Sequence, residues 1–100
     1  MSEEARVIPS KRIPSHPGRI LKFEYFEPLE LSAADFATHI GVAEEHILGV
    51  LSEELPVTPR LAWLIGMATG TSPELWMNLQ THHDLALNRP PIDVAIFRAS

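Results

Sequence analysis

Apolar residues recur at helical spacing in five segments of the chain, and start or stop signals border each segment. The first segment begins at Ser15-His16-Pro17. Proline suits the first helical turn because the backbone N–H groups are unpaired there in any case. The segment runs to about Phe26, and Glu27-Pro28 ends it, since a residue before proline avoids the helical region.

The second and third segments are short and are separated by a glycine. The second begins at Ser32, with Asp35 three residues later as an acidic variant of the capping box, and it stops at Gly41. The third spans roughly Ala43–Ser52. Its N-terminal cap is weak because alanine has no side-chain acceptor, and two glutamates in its first turn compensate in part by interacting with the helix dipole.

Two longer segments follow, and both ends of the chain look less regular. Thr58-Pro59 starts the fourth segment, and Gly70 ends it. The fifth begins at Ser72-Pro73-Glu74 and fades near Asn88, before two prolines. Residues 92–97 are short and β-prone, and they predict a strand or a tail that orders on a partner. We therefore divide the chain into a flexible arm (1–14), a helical domain (15–88) and a C-terminal tail (89–100).

Four residues around the second and third helices match the requirements of a helix-turn-helix. Ala37 is small enough for two helices to cross closely, and Gly41 tolerates the positive φ of a tight turn. Ile47 and Val50 supply the two aliphatic side chains that hold the second helix of the unit against the first. Any small helical bundle can contain a similar pattern, but five short helices in one small domain favour the helix-turn-helix. The predicted fold is all-α, and its second and third helices form the unit that would contact DNA.

Composition limits the chain to one ordinary globular domain. It has 100 residues, of which 45% are apolar and 21% charged, and it contains no cysteine. Disulfides, cysteine-ligated metals and thiol catalysis are therefore excluded. The longest apolar run, residues 61–68, is far too short for a membrane span, and the acidic Met1-Ser2-Glu3-Glu4 start is unlike a signal peptide. We expect a cytoplasmic protein.

The net charge of −5 is unevenly distributed. Residues 1–22 carry five basic and two acidic side chains, whereas residues 23–88 carry ten carboxylates and a single basic residue, Arg60. Residues 89–100 add two arginines and one aspartate. Such an acidic middle repels polyanions, so any binding to nucleic acid has to overcome this field.

The chain also resembles a known family over residues 15–87. The resemblance rests on His16-Pro17-Gly18, Glu27-Pro28-Leu29, Leu31-Ser32, Gly41-Val42, Gly70-Thr71-Ser72-Pro73-Glu74, Trp76, Asn78-Leu79-Gln80 and Asp84-Leu85-Ala86. These motifs are similar to those of HigA-type (VapI-like) antitoxins, within the XRE/Cro-repressor helix-turn-helix superfamily. The resemblance implies a five-helix, lambda-repressor-like domain. It further implies a dimeric antitoxin that represses its own operon and neutralises a HigB-type, RelE-like ribonuclease toxin.

The sequence departs from that family where DNA would be read. Ala33 stands where the family usually has glutamine, and Ala43-Glu44-Glu45 opens the third helix in place of a Ser-Arg-Gln-like sequence. Glu53-Glu54 replaces a basic or glycine turn. Each change removes a donor for phosphate or bases, or adds a carboxylate, although glutamate can accept from cytosine. We expect weak or altered DNA binding by the protein alone, supplemented by the basic arm or by a basic toxin.

A second departure adds apolar side chains at positions that the family usually keeps polar. These are Leu64 and Met67 beside Trp63 on the fourth helix, and Phe23 on the first. Exposed apolar surface indicates a protein interface. A thicker core or a shifted helix phase would explain the same residues, and the sequence leaves these alternatives open.

The five histidines do not form a metal motif, because no two of them are spaced i, i+4 with an accompanying glutamate and no cysteine is present. His82 and His83 point about 100° apart on a helix, so we expect one packed and one solvated ring. No nucleophile elbow or glycine-rich phosphate loop is present. We predict neither an enzyme nor a cofactor, metal or small-molecule site.

The resulting hypothesis is an operator-binding antitoxin, and the alternative is a protein-interaction module that has kept the fold but lost strong DNA binding. The residues expected at DNA are Ser32, Glu44, Glu45, His46 and Gly49. Those expected at a dimer interface are Leu75, Trp76, Leu79, His82 and His83. The surface expected for a partner comprises Phe23, Trp63, Leu64 and Met67.

Overall fold

Five helices occupy most of residues 14–98, the part of the chain that the computed structural model describes. They are α1 (Pro17–Leu21, continued by the π-helical turn Lys22–Phe26), α2 (Ala33–Ile40), α3 (Glu44–Leu51), α4 (Pro59–Thr69) and α5 (Pro73–Leu87). The all-α prediction and the five predicted helices are confirmed within this range. Residues 88–98 form neither helix nor strand, so over this range the tail was the correct alternative. The predicted flexible arm lies outside the described residues except for Pro14.

Short polar side chains cap three of the helices as their sequences predict. The hydroxyls of Ser32, Thr58 and Ser72 accept from the backbone N–H three residues later, at 3.0, 3.3 and 3.2 Å. Ala43 precedes α3 without any side-chain cap, again as predicted. At the other ends, Gly41 and Gly70 close α2 and α4 in the left-handed conformation, with φ of 78° and 74°. Glycine adopts this conformation without steric cost, which is why both helices stop there.

Histidine caps the first helix. His16 Nδ1 accepts from the backbone N–H of Gly18 at 2.8 Å, and the His16 ring is almost fully buried. Gly18 is itself in close contact with α3, because a β-carbon added to it would lie 1.8 Å from the carbonyl oxygen of Val50. His16-Pro17-Gly18 therefore sets both the start of α1 and its distance from α3.

The core lies between α1, α3, α4 and α5, with α2 packed against α3 and α4. Its largest fully buried side chains include Trp76, Leu21, Ile47, Ile65, Val50 and Val57. Of the four positions that predicted the helix-turn-helix, Ala37, Ile47 and Val50 are buried and Gly41 supplies the left-handed turn. The predicted crossing of α2 and α3 is thus present in the structure.

The stretch from Gly70 to Trp76 forms a compact corner between α4 and α5. Trp76 Nε1 donates to the Thr71 hydroxyl at 2.8 Å, and that hydroxyl lies 2.8 Å from the hydroxyl of Thr69. Gly66 lets the corner approach α4, since a β-carbon there would lie 3.1 Å from the carbonyl carbon of Ser72. A buried tryptophan normally needs a partner for its N–H, and the corner provides one.

A buried glutamine joins α5 to the loop before α4. Gln80 Oε1 accepts from the backbone N–H of Val57 at 2.7 Å, and its Nε2 donates to Asp84 Oδ1 at 3.0 Å. Both ends of the buried amide are therefore satisfied, as buried polar groups usually are. The loop that carries Val57 connects α3 to α4, so Gln80 fixes the position of both helices.

Candidate nucleic-acid interface

α3 has one side buried and the opposite side free. Ile47 and Val50 are completely buried against the core, and they fix the rotation of this two-turn helix. The residues on the opposite side, Glu44, Glu45 and Leu48, are exposed. A short helix held by a helix-turn-helix and exposed along one side is the geometry that enters a DNA groove.

Leu48 also belongs to this outward side, and it is not among the residues that the sequence predicts at DNA. Its side chain is 48% exposed. Steps of about 100° per residue place Leu48 between Glu44 and Glu45 in helical projection. Helical spacing was therefore the signal that could have identified it. Leucine at this place offers apolar contact, such as to a thymine methyl group, and no hydrogen bond.

The structure separates the five predicted DNA-facing residues into two groups. Ser32, Glu44 and Glu45 are exposed around the reading unit. Gly49 is half-buried because Leu55 covers it: a β-carbon at Gly49 would lie 2.5 Å from Leu55 Cδ1. His46 is also half-buried, and it faces α4 rather than the outward side of α3.

The surroundings of the outward side are acidic. Glu53 and Glu54 follow α3 directly and are exposed, as are Glu44 and Glu45 at its start. Arg60, at the N-terminal end of α4, is exposed and is the single basic residue between positions 23 and 88. Apart from Arg60, the described basic side chains nearest to α3 in sequence are Arg19 and Lys22 on α1, and both are exposed.

The turn after α3 has an unusual backbone. Glu53 has a φ of 68°, which lies in the left-handed region that favours glycine. The N–H groups of Glu54 and Leu55 both donate to the carbonyl oxygen of Gly49, at 2.9 and 3.0 Å. The turn therefore keeps the shape of a glycine-containing helix end while it presents a carboxylate.

The residues predicted for a dimer interface lie on two different sides of α5. Leu75 and His82 are exposed and Leu79 is half-buried, and their spacing puts them on one side of the helix. Trp76 is 0% exposed in the core of its own chain, so a second copy cannot reach it. His83 is turned toward α1, where its ring packs edge-on against His16 with 5.1 Å between centroids. These two residues are therefore removed from the predicted interface.

The His16–His83 pair affects the charge state of His16. His83 Nδ1 lies 2.7 Å from the carbonyl oxygen of Pro14, to which it donates. Burial, followed by the repulsion of a charged His83, lowers the pKa of His16 below its usual 6.5. Glu53 and Asp84 act in the opposite direction through their charge, as does a hydrogen bond with the backbone of Leu55. His82, the neighbour of His83, is exposed, so the prediction of one packed and one solvated ring is confirmed.

The apolar residues predicted for a partner are exposed on α4. Trp63 is 58% and Met67 68% exposed on successive turns, and Leu64 beside them is half-buried. The core is thus not thickened by these residues. Phe23 is exposed elsewhere, on α1, with Arg19 and Lys22 5.1 and 5.4 Å from its ring centre.

Comparisons with known proteins agree with this geometry. An uncharacterised HTH-type transcriptional regulator of Haemophilus influenzae is 34% identical over 74 residues, which cover 74% of this chain and 69% of the relative. Antitoxin HigA-1 of Vibrio cholerae is 30% identical over 76 residues, covering 76% and 71%. No family model matches the chain.

Solved structures show the same fold. Pseudomonas aeruginosa antitoxin HigA with the higBA promoter superposes with a TM-score of 0.72 at 31% identity, covering 74% of this chain and 80% of that one. Antitoxin GraA in complex with its operator gives 0.71 at 38% identity, covering 74% and 75%. None of the helices between residues 14 and 98 is both long and apolar enough to cross a membrane. The chain belongs to the family of helix-turn-helix transcriptional regulators that includes the HigA antitoxins.

Proposed function

We propose that this chain is the antitoxin and transcriptional autoregulator of a HigBA-like module. As a dimer it binds operator DNA through α2 and α3, and it neutralises a RelE-like ribonuclease toxin. The observation that carries the proposal is the outward side of α3, which is exposed over its length while Ile47 and Val50 anchor the opposite side. The solved antitoxins with operator or promoter DNA support the assignment of that side to DNA.

In this proposal DNA is held mainly by the N-terminal end of α2 and read by the outward side of α3. Ser32 is exposed at the end of α2, where free backbone N–H groups favour a phosphate. Glu44, Glu45 and Leu48 face the bases, whereas Gly49 lies under Leu55 and is not part of this contact. His46 lies beside Arg60 at the edge of this DNA-facing surface, and Arg60 binds a phosphate there.

Electrostatics limits the affinity of this interface. Strong DNA binders neutralise about 6–10 phosphates, and affinity falls steeply with salt in proportion to that number. The described residues of one chain contain five basic side chains, Arg19, Lys22, Arg60, Arg89 and Arg98, and Arg89 is paired with Asp93. Few of them therefore remain to offset the exposed glutamates around α3. The free protein therefore binds its operator weakly, and a basic toxin bound to it contributes the missing charge.

We assign the dimer interface to the side of α5 that carries Leu75, Leu79 and His82. Leu75 and Leu79 are four residues apart, and His82 and Ala86 continue the same stripe one and two turns later. In the single chain Leu75 is exposed and Leu79 is half-buried. Burying such a stripe between two copies would place two α3 helices on one DNA duplex, as palindromic operators require.

The second candidate is an interaction module that has lost strong operator binding. The exposed carboxylates of Glu44 and Glu45 favour it, because they place negative charge on the side of α3 that would face DNA. The two candidates predict opposite results in a single experiment.

That experiment is a salt-dependent gel shift with the purified protein and the DNA upstream of its own gene. It is run with and without the product of the neighbouring open reading frame. We expect a weak shift by the protein alone and a stronger one with the product. Leu48→Glu should abolish both shifts, whereas Leu85→Glu, the same change at an exposed site on α5, should leave them intact. The absence of any shift under both conditions would exclude the operator-binding function.

Dimerisation is tested separately by sedimentation equilibrium. Leu75→Glu places a charge in the proposed stripe without disturbing the core, since Leu75 is exposed in the single chain. We expect this variant to be monomeric and to lose the gel shift. A variant that remains a dimer would exclude α5 as the interface.

A further inference from the structure

α4 has one side that the fold does not use. Leu61, Ala62, Ile65 and Gly66 are buried on its inner side, where the helix packs against α5 and α2. The outer side presents Trp63 and Met67, four residues apart and more than half exposed. Two large apolar side chains on successive turns are unusual on a surface that contacts only water.

Three connected depressions run along this side of the molecule. The first lies beside the helix-turn-helix and is lined by Val42, His46, Thr58, Arg60, Leu61 and Leu64. The second shares Leu64 and extends to His39, Ile40, Met67 and Ala68. The third shares His39 and Ala68 and reaches Tyr25, Leu29, Leu31, Asp35, Phe36 and Thr69. We call these three depressions together the α4 groove. Met67 lines it, and Trp63 lies one turn before Met67 without lining any of the three. Its largest part is mainly apolar, and Leu29 and Leu31 at its far end are exposed.

The α4 groove is separate from the two surfaces already assigned. The outward side of α3 borders a different depression, lined by Glu45, Leu48, Gly49, Ser52, Glu54 and Leu55, and the two share no residue. Nor does the stripe of Leu75, Leu79 and His82 line any part of the α4 groove. An occupant of the α4 groove therefore does not compete directly with a second copy on α5. It also leaves the outward side of α3 free, but at the end beside the helix-turn-helix it adjoins the proposed DNA contact, since His46 and Arg60 line that end of the groove.

The charge around the α4 groove decides which kind of occupant fits. Residues 23–88 carry ten carboxylates against Arg60. Arg60 lines the end of the groove beside the helix-turn-helix, whereas Asp35 lines its largest part at the far end. Glu27 and Glu30 flank Leu29 in the chain and are exposed. A second copy of this chain would bring an equally acidic surface, and like charges across an interface disfavour association. A basic partner is complementary.

We propose that the α4 groove is the toxin-docking site and that it accepts a basic segment with an apolar face. Trp63 and Met67 act as anchors, and the carboxylates around the groove pair with basic side chains of the toxin. Tryptophan is enriched among the residues that dominate binding energy, and methionine is enriched at interfaces. An amphipathic helix with apolar residues at i, i+3/i+4 and i+7 suits an elongated apolar groove. This inference rests on the proposed antitoxin function and adds the surface and the chemistry of the partner.

The test measures binding of the purified product of the neighbouring open reading frame to the full chain by calorimetry. The double variant Trp63→Ala/Met67→Ala should bind about 100-fold more weakly than the wild-type chain. Its matched control is Leu85→Ala/Leu87→Ala, which removes two leucines of α5 that are 65% and 55% exposed, and which should bind normally. Binding by the wild-type chain should also weaken as salt increases.

A second readout follows the anchor directly. The chain contains two tryptophans, of which Trp63 is exposed and Trp76 is buried. With 5-fluorotryptophan in this chain, the ¹⁹F resonance that disappears in Trp63→Phe should shift when the unlabelled product is added, while that of Trp76 stays in place. Sedimentation equilibrium of the double variant should give the wild-type oligomeric state.

Failure of the docking site and failure of the antitoxin function give different results in these experiments. If the wild-type chain does not bind the product, the antitoxin function fails and the docking site fails with it. If the wild-type chain binds and the double variant binds equally well, the docking site alone is overturned. A change of oligomeric state in the double variant would assign the α4 groove to a second copy, which also overturns the proposal.

Discussion

A β-carbon added at Gly18 would lie 1.8 Å from the carbonyl oxygen of Val50 and 2.8 Å from its carbonyl carbon. Both atoms belong to the backbone of α3, so they cannot rotate away as a side chain would. At the scale of single residues, this contact sets how closely α1 approaches the reading helix. The glycine of His16-Pro17-Gly18 is required by a neighbour 32 positions away in the chain, and not by its own backbone angles.

We therefore expect Gly18→Ala to destabilise the protein by about 3 kcal/mol, the upper range for overpacking in a core. Gly49→Ala is its matched control. An added β-carbon there meets Leu55 Cδ1 at 2.5 Å, the end of a flexible side chain that can move. The free energy of unfolding of Gly49→Ala should decrease by less than about 1 kcal/mol, partly because alanine favours a helix. Urea unfolding at neutral pH measures both, and equal losses would contradict the role given to Gly18.

The left-handed Glu53 provides a second prediction at the residue scale. Left-handed backbone costs a residue with a β-carbon about 1 kcal/mol, and glycine avoids this cost. Glycine also adds entropy to the unfolded chain, which reduces stability by about 0.5–1 kcal/mol. Glu53→Gly should thus be nearly neutral, whereas Glu54→Gly, at the next position and outside the left-handed region, should be destabilising by about 1 kcal/mol. Thermal unfolding compares the stability of the two variants. A larger loss of stability in Glu53→Gly than in Glu54→Gly would contradict the left-handed backbone of Glu53.

At the scale of helices, α1 depends on a titratable cap. Only the neutral ring of His16 can accept the Gly18 N–H through Nδ1. Because burial and His83 lower the pKa of His16 in the folded state, the unfolded chain takes up the proton more readily. The free energy of unfolding should therefore decrease as the pH falls below about 6.5, and this contribution should level off below the folded pKa.

His16→Asn isolates this effect. Asparagine is a good helix cap and accepts through its side-chain oxygen, but it does not titrate. Between pH 7.5 and 5.5, wild-type protein should lose more stability than the variant in chemical unfolding. Carboxylates that titrate at lower pH are common to both proteins, so the difference between the two curves reports on His16. Parallel curves would show that the cap is insensitive to pH.

At the scale of the whole molecule, the positions of the charged residues affect the binding of DNA and partners more than the net charge does. The bundle places the α3 glutamates on one outward surface and leaves Arg60 as the only basic side chain between positions 23 and 88. The three proposed surfaces lie on different elements: α3 for DNA, α5 for a second copy and α4 for a basic partner. The α5 surface is separate from the other two, whereas the DNA contact and the α4 groove adjoin at His46 and Arg60.

The effect of this charge on DNA binding is open to a direct measurement. Glu44→Gln/Glu45→Gln keeps the size of both side chains and removes two negative charges from the reading helix. Affinity for the upstream DNA should increase by about 1 kcal/mol, or about fivefold, the scale of exposed charge interactions. Glu74→Gln, at the exposed start of α5, should leave affinity unchanged. Weaker binding by the double variant in fluorescence anisotropy would mean that the carboxylates accept hydrogen bonds from cytosine instead.

The sequence by itself determined the local structure. Ser32, Thr58 and Ser72 mark helix starts because their hydroxyls accept backbone N–H groups within the same turn, and Gly41 and Gly70 mark helix ends because of their own backbone angles. Such signals act over three or four residues. The spacing of Ala37, Gly41, Ile47 and Val50 extended this reasoning to one pair of helices, and the crossing is present as expected.

Tertiary structure decided which side of each helix remains free. The period of α5 permits either side to face a partner, and the packing of Trp76 on the Thr71 corner and of His83 on His16 turned both residues inward. Likewise, Leu55 covers Gly49 and α4 faces His46, through contacts between segments that are separate in sequence. Burial is a property of the assembled core, so an apolar or imidazole side chain carries no local sign of what will cover it.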